Sequence, residues 1–352
     1  MRTSTPNADV ANTDVAATTL EPLLEVTNLK TYFKVREGTV KSVDGVSFSI
    51  NKGQTTAVVG ESGCGKSITA RSIMQLVPKP GKIVDGEILF HRYQDSPSTV
   101  VDIHQEDPNG SAMRRLRGND IAMIFQEPMT SFSPVHSLSN QMYETLRNHK
   151  KVSRKDALEL SIEALRRVNM PKPEQIAVSY PHQLSGGMRQ RAMIAMALSC
   201  EPSLLIADEP TTALDVTTEA QILDLLRELR DRLGMAMMFI THNLGVVAEI
   251  AEHVQVMYLG KVVESAPVRQ IFYDAKHPYT KSLLMSVPQL NHKVDRLATI
   301  QGSVPDPFSI PTGCPFHPRC PDAMPGVCDV KVPQPLQLTP EHQVSCHLYG
   351  DA

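Results

Sequence analysis

The chain has 352 residues, 41% of them hydrophobic and 21% charged, with no Trp and a formal net charge of −3. That length allows about two domains with an ample core, and the near-balanced charge argues against a nucleic-acid binder working through a broad basic surface. No apolar run approaches the roughly 18–20 residues that span a bilayer. Residues 1–20, rich in Thr, Ala, Asn and Asp, lack the apolar core of a secretory signal and read as a disordered tail, so a cytosolic chain with reduced thiols is expected.

Folding is expected from residue 21. Leu24–Leu29 and Val43–Ile50 alternate apolar and polar residues and predict paired strands. Tyr32 and Phe33 fall between them on an expected loop edge, where a ring either packs or stacks on a purine. Thr55–Val59 is a short buried-type strand. It is followed by Gly60-Glu61-Ser62-Gly63-Cys64-Gly65-Lys66-Ser67 and a helical run, Ile68–Leu76. A G-x-x-x-x-G-K-S run between strand and helix is a phosphate loop. Its glycines let backbone N–H groups wrap a phosphate, Lys66 adds a point charge, and the Ser67 hydroxyl can ligate Mg²⁺. Residue type alone gives Cys64 no role.

Gly86–Phe90 and Ile121–Phe125 predict further strands, with a polar surface insertion between His91 and Asn119. Gln126 directly follows a strand, at the sheet edge where open α/β folds bind ligands, so it can hold Mg²⁺ or orient a water. From 127 to about 185 the character changes. A loop, Pro128–Ser139, leads into helical spacings at Met142 and Leu146, then at Leu158, Ile162, Leu165 and Val168, predicting an inserted helical subdomain. Leu184-Ser185-Gly186-Gly187-Met188-Arg189-Gln190-Arg191 closes it, ahead of a helix over Met188–Leu198. Two glycines after a serine bare the N–H donors of a helix end, which suits a phosphate.

Ser203–Glu209 reads as a central strand that delivers Asp208 to the sheet's carboxyl edge, to share Mg²⁺ with Ser67. Glu209 is then placed to deprotonate a water. After Thr211–Asp215, Ile222, Leu225, Leu226, Leu229 and Leu233 form a core-facing stripe. Met235–Ile240 is another buried strand, ending at Thr241-His242 on the same edge. Strands continue over Val254–Leu259 and Lys261–Glu264. The last segment, 276–352, is rich in Pro, Gly and His and carries Cys314, Cys320, Cys328 and Cys346. Clustered cysteines in a reduced compartment, with too few apolar residues for their own core, predict a metal staple. No C-x₂₋₄-C knuckle is present, so the wide spacing suits an iron–sulfur cluster better than zinc. Cys64 and Cys200 read as structural.

With these motifs in this order, Leu24 to Glu264 resembles an ABC-type ATPase. The resemblance implies an α/β P-loop NTPase over 21–275, with a mixed-sheet core, an antiparallel β subdomain, a helical subdomain at about 127–185, and a small Cys-rich C-terminal extension over 276–352. It makes Gly60–Ser67 the Walker A loop, with Gly60, Ser62, Gly63, Cys64, Gly65, Lys66, Ser67 and Ile68 on the nucleotide. Phe33, or nearby Tyr32, stacks on adenine. Gln126 is the Q-loop residue, and the signature residues Leu184, Ser185, Gly186, Gly187 and Gln190 cap a nucleotide held by a partner. Leu204–Asp208 is Walker B, Glu209 the general base, Ala213-Leu214-Asp215 the D-loop and His242 the switch histidine. ATP and Mg²⁺ are implied, the metal on Ser67, Gln126 and Asp208.

Met123-Ile124-Phe125-Gln126-Glu127-Pro128, Tyr180-Pro181-His182-Gln183-Leu184, His277-Pro278-Tyr279-Thr280 and Gly313-Cys314-Pro315-Phe316-His317-Pro318-Arg319-Cys320 carry a narrower resemblance. They are similar to the ATPase subunits of oligopeptide, dipeptide and nickel importers, whose members hold a [4Fe-4S] cluster on four tail cysteines. This implies a peripheral subunit on the cytoplasmic face of the inner membrane. Its partners would be a second ATPase (a paralogue), two integral-membrane permeases and, indirectly, an extracytoplasmic solute-binding protein, with no nucleic acid. Di- or oligopeptides are the expected solute. Oligosaccharides, opines and nickel are alternatives, because the family's Ser-Leu-Asn-Pro run after the Q-loop is here Ser131-Phe132-Ser133-Pro134. ABC ATPases of DNA repair or translation are the alternative of another class. The former need long coiled-coil heptads and the latter tandem cassettes; this sequence has one of each motif and no such heptads.

Overall fold

The computed structural model describes residues 21–93, 97–126, 132–212, 214–286 and 300–350. The expected tail at 1–20, and Glu127, Pro128, Ser131 and Ala213, lie outside them. Strands β1 (Pro22–Val35), β2 (Gly38–Asn51), β4 (Gly81–Arg92) and β5 (Thr99–Asp102) form an antiparallel sheet in the order β2-β1-β4-β5. Their alternation turns Leu24, Val26, Val43, Val46, Ile50, Ile88 and Phe90 inward. Tyr32 and Phe33 are part of β1 rather than a loop edge: pairing runs through Tyr32↔Lys41 and Phe33↔Val40 to Val35↔Gly38. Only Arg36 and Glu37 are left for the turn, a two-residue hairpin that keeps the ladder paired to its tip. The segment after His91 is also more structured than its polarity predicts. It holds β5 and α2 (Ser111–Leu116), anchored by buried Ile103, Met113 and Leu116, which are too irregularly spaced to show a period.

The second sheet has eight strands, ordered β11-β12-β10-β9-β3-β8-β7-β6. Strands β3 (Thr55–Val59), β7 (Leu204–Asp208) and β8 (Ala236–Thr241) are buried at every residue, as expected of parallel strands covered on both faces. Parallel neighbours β6 (Ile121–Ile124) and β9 (His253–Tyr258) flank them. Because β3, β6, β7 and β8 run the same way, the phosphate loop, Gln126, Glu209 and His242 all leave from one edge of the sheet. Helix α1 (Lys66–Ile73) follows the phosphate loop. Helices α3 (Leu138–Lys150), α4 (Arg154–Arg167) and α5 (Pro173–Val178) form the inserted layer, and α6 (Gly186–Ala197) joins it to β6. Helix α7 (Val216–Leu233) buries Ile222, Leu225, Leu226 and Leu229. Helices α8 (Leu244–Ile250), α9 (Val268–Asp274) and α10 (Pro278–Met285) follow β8, β10 (Lys261–Pro267) and a short turn.

The C-terminal segment has no core of its own because it uses that of the preceding residues. Strand β12 (His342–Val344) pairs with β10 through Glu264↔Val344, and β11 (Leu336–Thr339) pairs with β12. Tyr279, Cys314, Phe316 and Cys328 share one apolar cluster with Val59, Val254, Val256 and Tyr258. His277 is sealed in this layer. Burial pushes its imidazole down to about 3, and its Nδ1 accepts the Tyr279 N–H at 3.0 Å, capping α10.

Candidate functional site

The phosphate loop is shaped by close backbone packing. A Cβ at Gly60 would lie 2.2 Å from the Met257 carbonyl oxygen, and one at Gly65 2.2 Å from that of Ser42. Gly65, with φ of 107°, is the N-cap of α1. Only glycine satisfies both the positive φ and the close approach there. Gly63, by contrast, has open space beside it, with nothing within 4 Å of a Cβ built there. Lys66 is buried, and its Nζ donates to the carbonyls of Gly60 (2.8 Å) and Glu61 (3.0 Å). The Cys64 side chain is packed beneath the loop against Gly60, so only its backbone can face a nucleotide.

Ser67 Oγ donates to Asp208 Oδ1 at 2.9 Å, bringing the two expected Mg²⁺ ligands together across 141 residues. Burial pushes the Asp208 carboxyl up, and a cation at this point would oppose that shift by favouring the charged form. That donor set fits a hard, oxygen-loving ion. Glu209 sits one residue beyond, with φ of 46°. A non-glycine residue in the left-handed region is uncommon and gathers at functional sites. Here it turns the carboxylate into the cleft. Its Oε2 accepts from Gln126 Nε2 (3.0 Å) and from Thr212 Oγ1 (3.0 Å), while its Oε1 lies 3.2 Å from His242 Nδ1. The Glu209 side chain is 14% exposed and that of His242 64%. Gln126 and His242 thus meet on Glu209, next in sequence to the Asp208 that holds Ser67, although these residues come from three strand ends and the phosphate loop. Thr212 belongs with them. Sequence reasoning missed it, since a threonine in a turn three residues on carries no signature.

Ser185 caps α6, its hydroxyl accepting the Met188 N–H at 3.3 Å. Leu184 is buried and anchors this end, whereas Ser185 and Gly186 are exposed, with nothing within 4 Å of a Cβ built on Gly186. The helix end is open to a ligand. Gln190 is a correction: at 1% exposure it points into the core with its Nε2 lacking a partner, so its side chain is not on the exposed helix end. Asp215 caps α7, accepting from Thr218 N (3.0 Å) and Thr218 Oγ1 (2.7 Å), and these bonds hold its carboxyl below the usual range. On β1, Tyr32 donates to Asp44 Oδ1 at 2.5 Å. Phe33 is half-buried against Gly81.

Burial pushes the thiols of Cys314, Cys320 and Cys346 up, the last two to about 11. Neighbouring cysteines add to this: Cys328 and Cys320 act on Cys314, Cys346 and Cys328 on Cys320, and Cys314 and Cys328 on Cys346. All four are free thiols. Among the described residues, no group of three or more His, Cys, Asp or Glu side chains is gathered to hold a metal ion, so the expected metal staple is not found as such.

Residues 43–212 match the family model described as ABC transporter, and residues 263–328 the one described as oligopeptide/dipeptide transporter, C-terminal region. The oligopeptide transport ATP-binding protein AppD of Bacillus subtilis is 49% identical over 333 residues, spanning 94% of this chain and 98% of that protein. A putative peptide import ATP-binding protein of Brucella melitensis is 48% identical over 93% of this chain and 97% of its own length. Among solved structures, the dimeric post-hydrolysis state of the ATP-binding cassette MJ0796 with ADP and Pi superposes with a TM-score of 0.60 at 25% identity, covering 70% of this chain and 99% of that one. For cbiO1 of Clostridium perfringens, part of the cbiONQ transporter complex, the TM-score is 0.58 at 26% identity, covering 72% and 92%.

Proposed function

This chain belongs to the ABC transporter family, among the ATP-binding subunits of peptide importers, and from that premise we propose how its residues divide the work. It is an ATPase that powers peptide uptake, working as part of an ATPase dimer with membrane permeases. No helix among the described residues is long and apolar enough to cross a membrane, in keeping with peripheral attachment. In our reading ATP lies on Gly60, Ser62, Gly63, Cys64, Gly65, Lys66, Ser67 and Ile68, mostly through backbone N–H groups, with its adenine on Phe33. Lys66 leaves the Gly60 and Glu61 carbonyls for the β/γ-phosphate oxygens. Mg²⁺ would be held by Ser67, Asp208 and Gln126, and supplies positive charge against the phosphates. Glu209 takes the proton of the attacking water, Gln126 and Thr212 fix the carboxylate, and His242 faces the γ-phosphate. The reaction is then mostly positioning and electrostatics. The observation that carries this reading is the Glu209 carboxylate held between Gln126 and His242, next to the Ser67–Asp208 pair.

We place Leu184, Ser185, Gly186 and Gly187 on the partner's nucleotide, and Asp215 at the same dimer seam. The partner is a paralogue in a heterodimer, joined to two permeases fed by an extracytoplasmic binding protein, on the cytoplasmic face of the inner membrane. Peptides are favoured over the other solutes because the relatives are named for them. Deleting the gene should abolish uptake of a labelled peptide, and wild-type protein but not Lys66→Ala should restore it. Restoration by Lys66→Ala would overturn the ATPase reading.

Residues 21–275 would be the ATPase unit and 276–352 the cysteine-bearing one. For the latter we propose a [4Fe-4S] cluster on Cys314, Cys320, Cys328 and Cys346. The donor set suits one in kind and number, and Cys314, Cys320 and Cys346 each feel neighbouring cysteines. A four-iron cluster takes its cysteines around a body rather than converging on one ion. Protein purified without oxygen should contain about four irons per chain, and replacing Cys314 and Cys320 by Ser should remove them. Iron-free wild-type protein with unchanged ATP turnover would sink the proposal.

A further inference from the structure

The C-terminal segment touches the phosphate loop directly. Arg319, in the turn between Cys314 and Cys320, donates from Nη1 to Glu61 Oε2 at 2.7 Å and from Nη2 to Glu61 Oε1 at 3.0 Å. Its side chain is 4% exposed and that of Glu61 25%, so this two-pronged ion pair is shielded on the arginine side and only partly open to water on the other. Its Nε is held by the Gln301 carbonyl at 3.0 Å, and its guanidinium lies 5.9 Å from the centre of the Tyr258 ring. Glu61 is the second residue of the phosphate loop. Its backbone N–H is accepted by the hydroxyl of Tyr279, at 2.9 Å. Tyr279, Tyr258 and Phe316 pack ring to ring, with centroids 4.7–5.3 Å apart. Backbone and side chain of one loop residue are therefore both held by groups more than 200 residues away.

The other contacts of Glu61 give this a consequence. Its carbonyl accepts from Lys66 Nζ at 3.0 Å and from Cys64 N–H at 3.3 Å. The resting place of the lysine is thus part of the residue that Arg319 fixes. When a phosphate takes the lysine away, Glu61 loses that bond and keeps those from Arg319 and Tyr279. A glycine-rich loop without such a hold must be ordered by the nucleotide itself, which weakens binding.

We propose that Arg319 is a positioning residue of the ATP site, which holds the phosphate loop through Glu61 so that nucleotide affinity depends on the C-terminal segment. It rests on the reading of Gly60–Ser67 as the ATP site and adds a role no motif assigns. Because Cys314 and Cys320 bracket the same turn, whatever orders those cysteines also reaches the loop.

The test uses the full-length chain, with a fluorescent ATP analogue for the Kd and steady-state turnover with the partner ATPase for KM and kcat. Arg319→Ala should raise both Kd and KM about tenfold while kcat at saturating ATP stays within about twofold. Arg319→Lys should recover part of the affinity, since one point charge replaces a two-pronged fork. The double variant Glu61→Gln/Arg319→Ala should bind no worse than Arg319→Ala alone. Unchanged affinity in a normally melting Arg319→Ala, or additive losses in the double variant, would overturn the proposal. If Arg319→Ala does not fold, Glu61→Gln decides: weakened binding supports the hold and wild-type affinity overturns it. Wild-type protein that binds no ATP would instead overturn the ATPase reading itself.

Discussion

Replacing Glu209 by Gln is expected to lower ATP turnover at this subunit's site by about 10³-fold, with ATP affinity unchanged. The amide keeps the size of the side chain, so the left-handed turn that presents it can persist. What is lost is the basic oxygen. Glu209 Oε2 accepts two hydrogen bonds, from Gln126 and Thr212, and Oε1 faces His242. An amide must offer an NH₂ to one of these groups and cannot take a proton from water. Among the described residues, the hydrogen bonds of the Glu209 side chain go to Gln126, Thr212 and His242 and not to Lys66 or the loop glycines, so the binding step should be spared. An ATP-filled dimer should accumulate, because the nucleotide joining the two subunits is no longer consumed. The measurement is single-turnover hydrolysis in the assembled transporter, alongside nucleotide affinity. Undiminished hydrolysis at this site would remove Glu209 from the base role.

Gly186→Asp is expected to separate folding from function. Nothing lies within 4 Å of a Cβ there, so the substitution fits, and a carboxylate at the start of α6 interacts favourably with the helix dipole. The chain should melt no lower than wild type. In the dimer the same carboxylate would face the phosphates of the partner's ATP, and turnover there should fall by at least about 10². The lost site should be the partner's. Gly186→Asp opposite a partner with a disabled phosphate loop should retain turnover if, as we propose, this chain's own ATP is capped by the partner. Gly186→Asp combined with Lys66→Ala in one chain should silence both sites. If Gly186→Asp instead silenced the ATP on its own Gly60–Ser67 loop, capping in trans would be wrong.

How much of this was legible depends on the range of the interaction. The strands that end at Asp208 and Thr241 announce themselves, because a strand buried on both faces is a continuous apolar run and its polar terminus stands out. The phosphate loop is legible because glycine, lysine and serine are each required within eight residues. Tyr32 and Phe33 were misplaced because the pairing that makes them strand is decided by the Val35–Gly38 turn and by β4, not by local alternation. Gln190 belongs to a recognised motif, yet the helical turn that carries it faces the core, and motif membership gives no direction. The Glu61–Arg319 pair spans 258 residues and leaves no periodic trace. The tail's poverty in apolar residues was visible, but its packing into another segment's core was not, because the strands and rings it joins lie far back along the chain.

The β10–β12 pairing also bears on synthesis. Glu264 is 1% exposed, and its carboxylate accepts from the backbone N–H of Lys276 and His277 and meets His342 Nε2 at 2.8 Å. Strand β10 finds its outer neighbour only at Gln343 and Val344. A growing polypeptide that has already made every ATP-binding motif therefore still carries an open sheet edge and a carboxylate short of its histidine. Open edges recruit foreign strands, and a buried polar group short of a hydrogen-bond partner is costly, so such a polypeptide is prone to associate through that edge. The sheet that carries the ATP-binding motifs is therefore completed from the far end of the chain: its outer edge is covered, and Glu264 receives its histidine, only once residues 342–344 are in place.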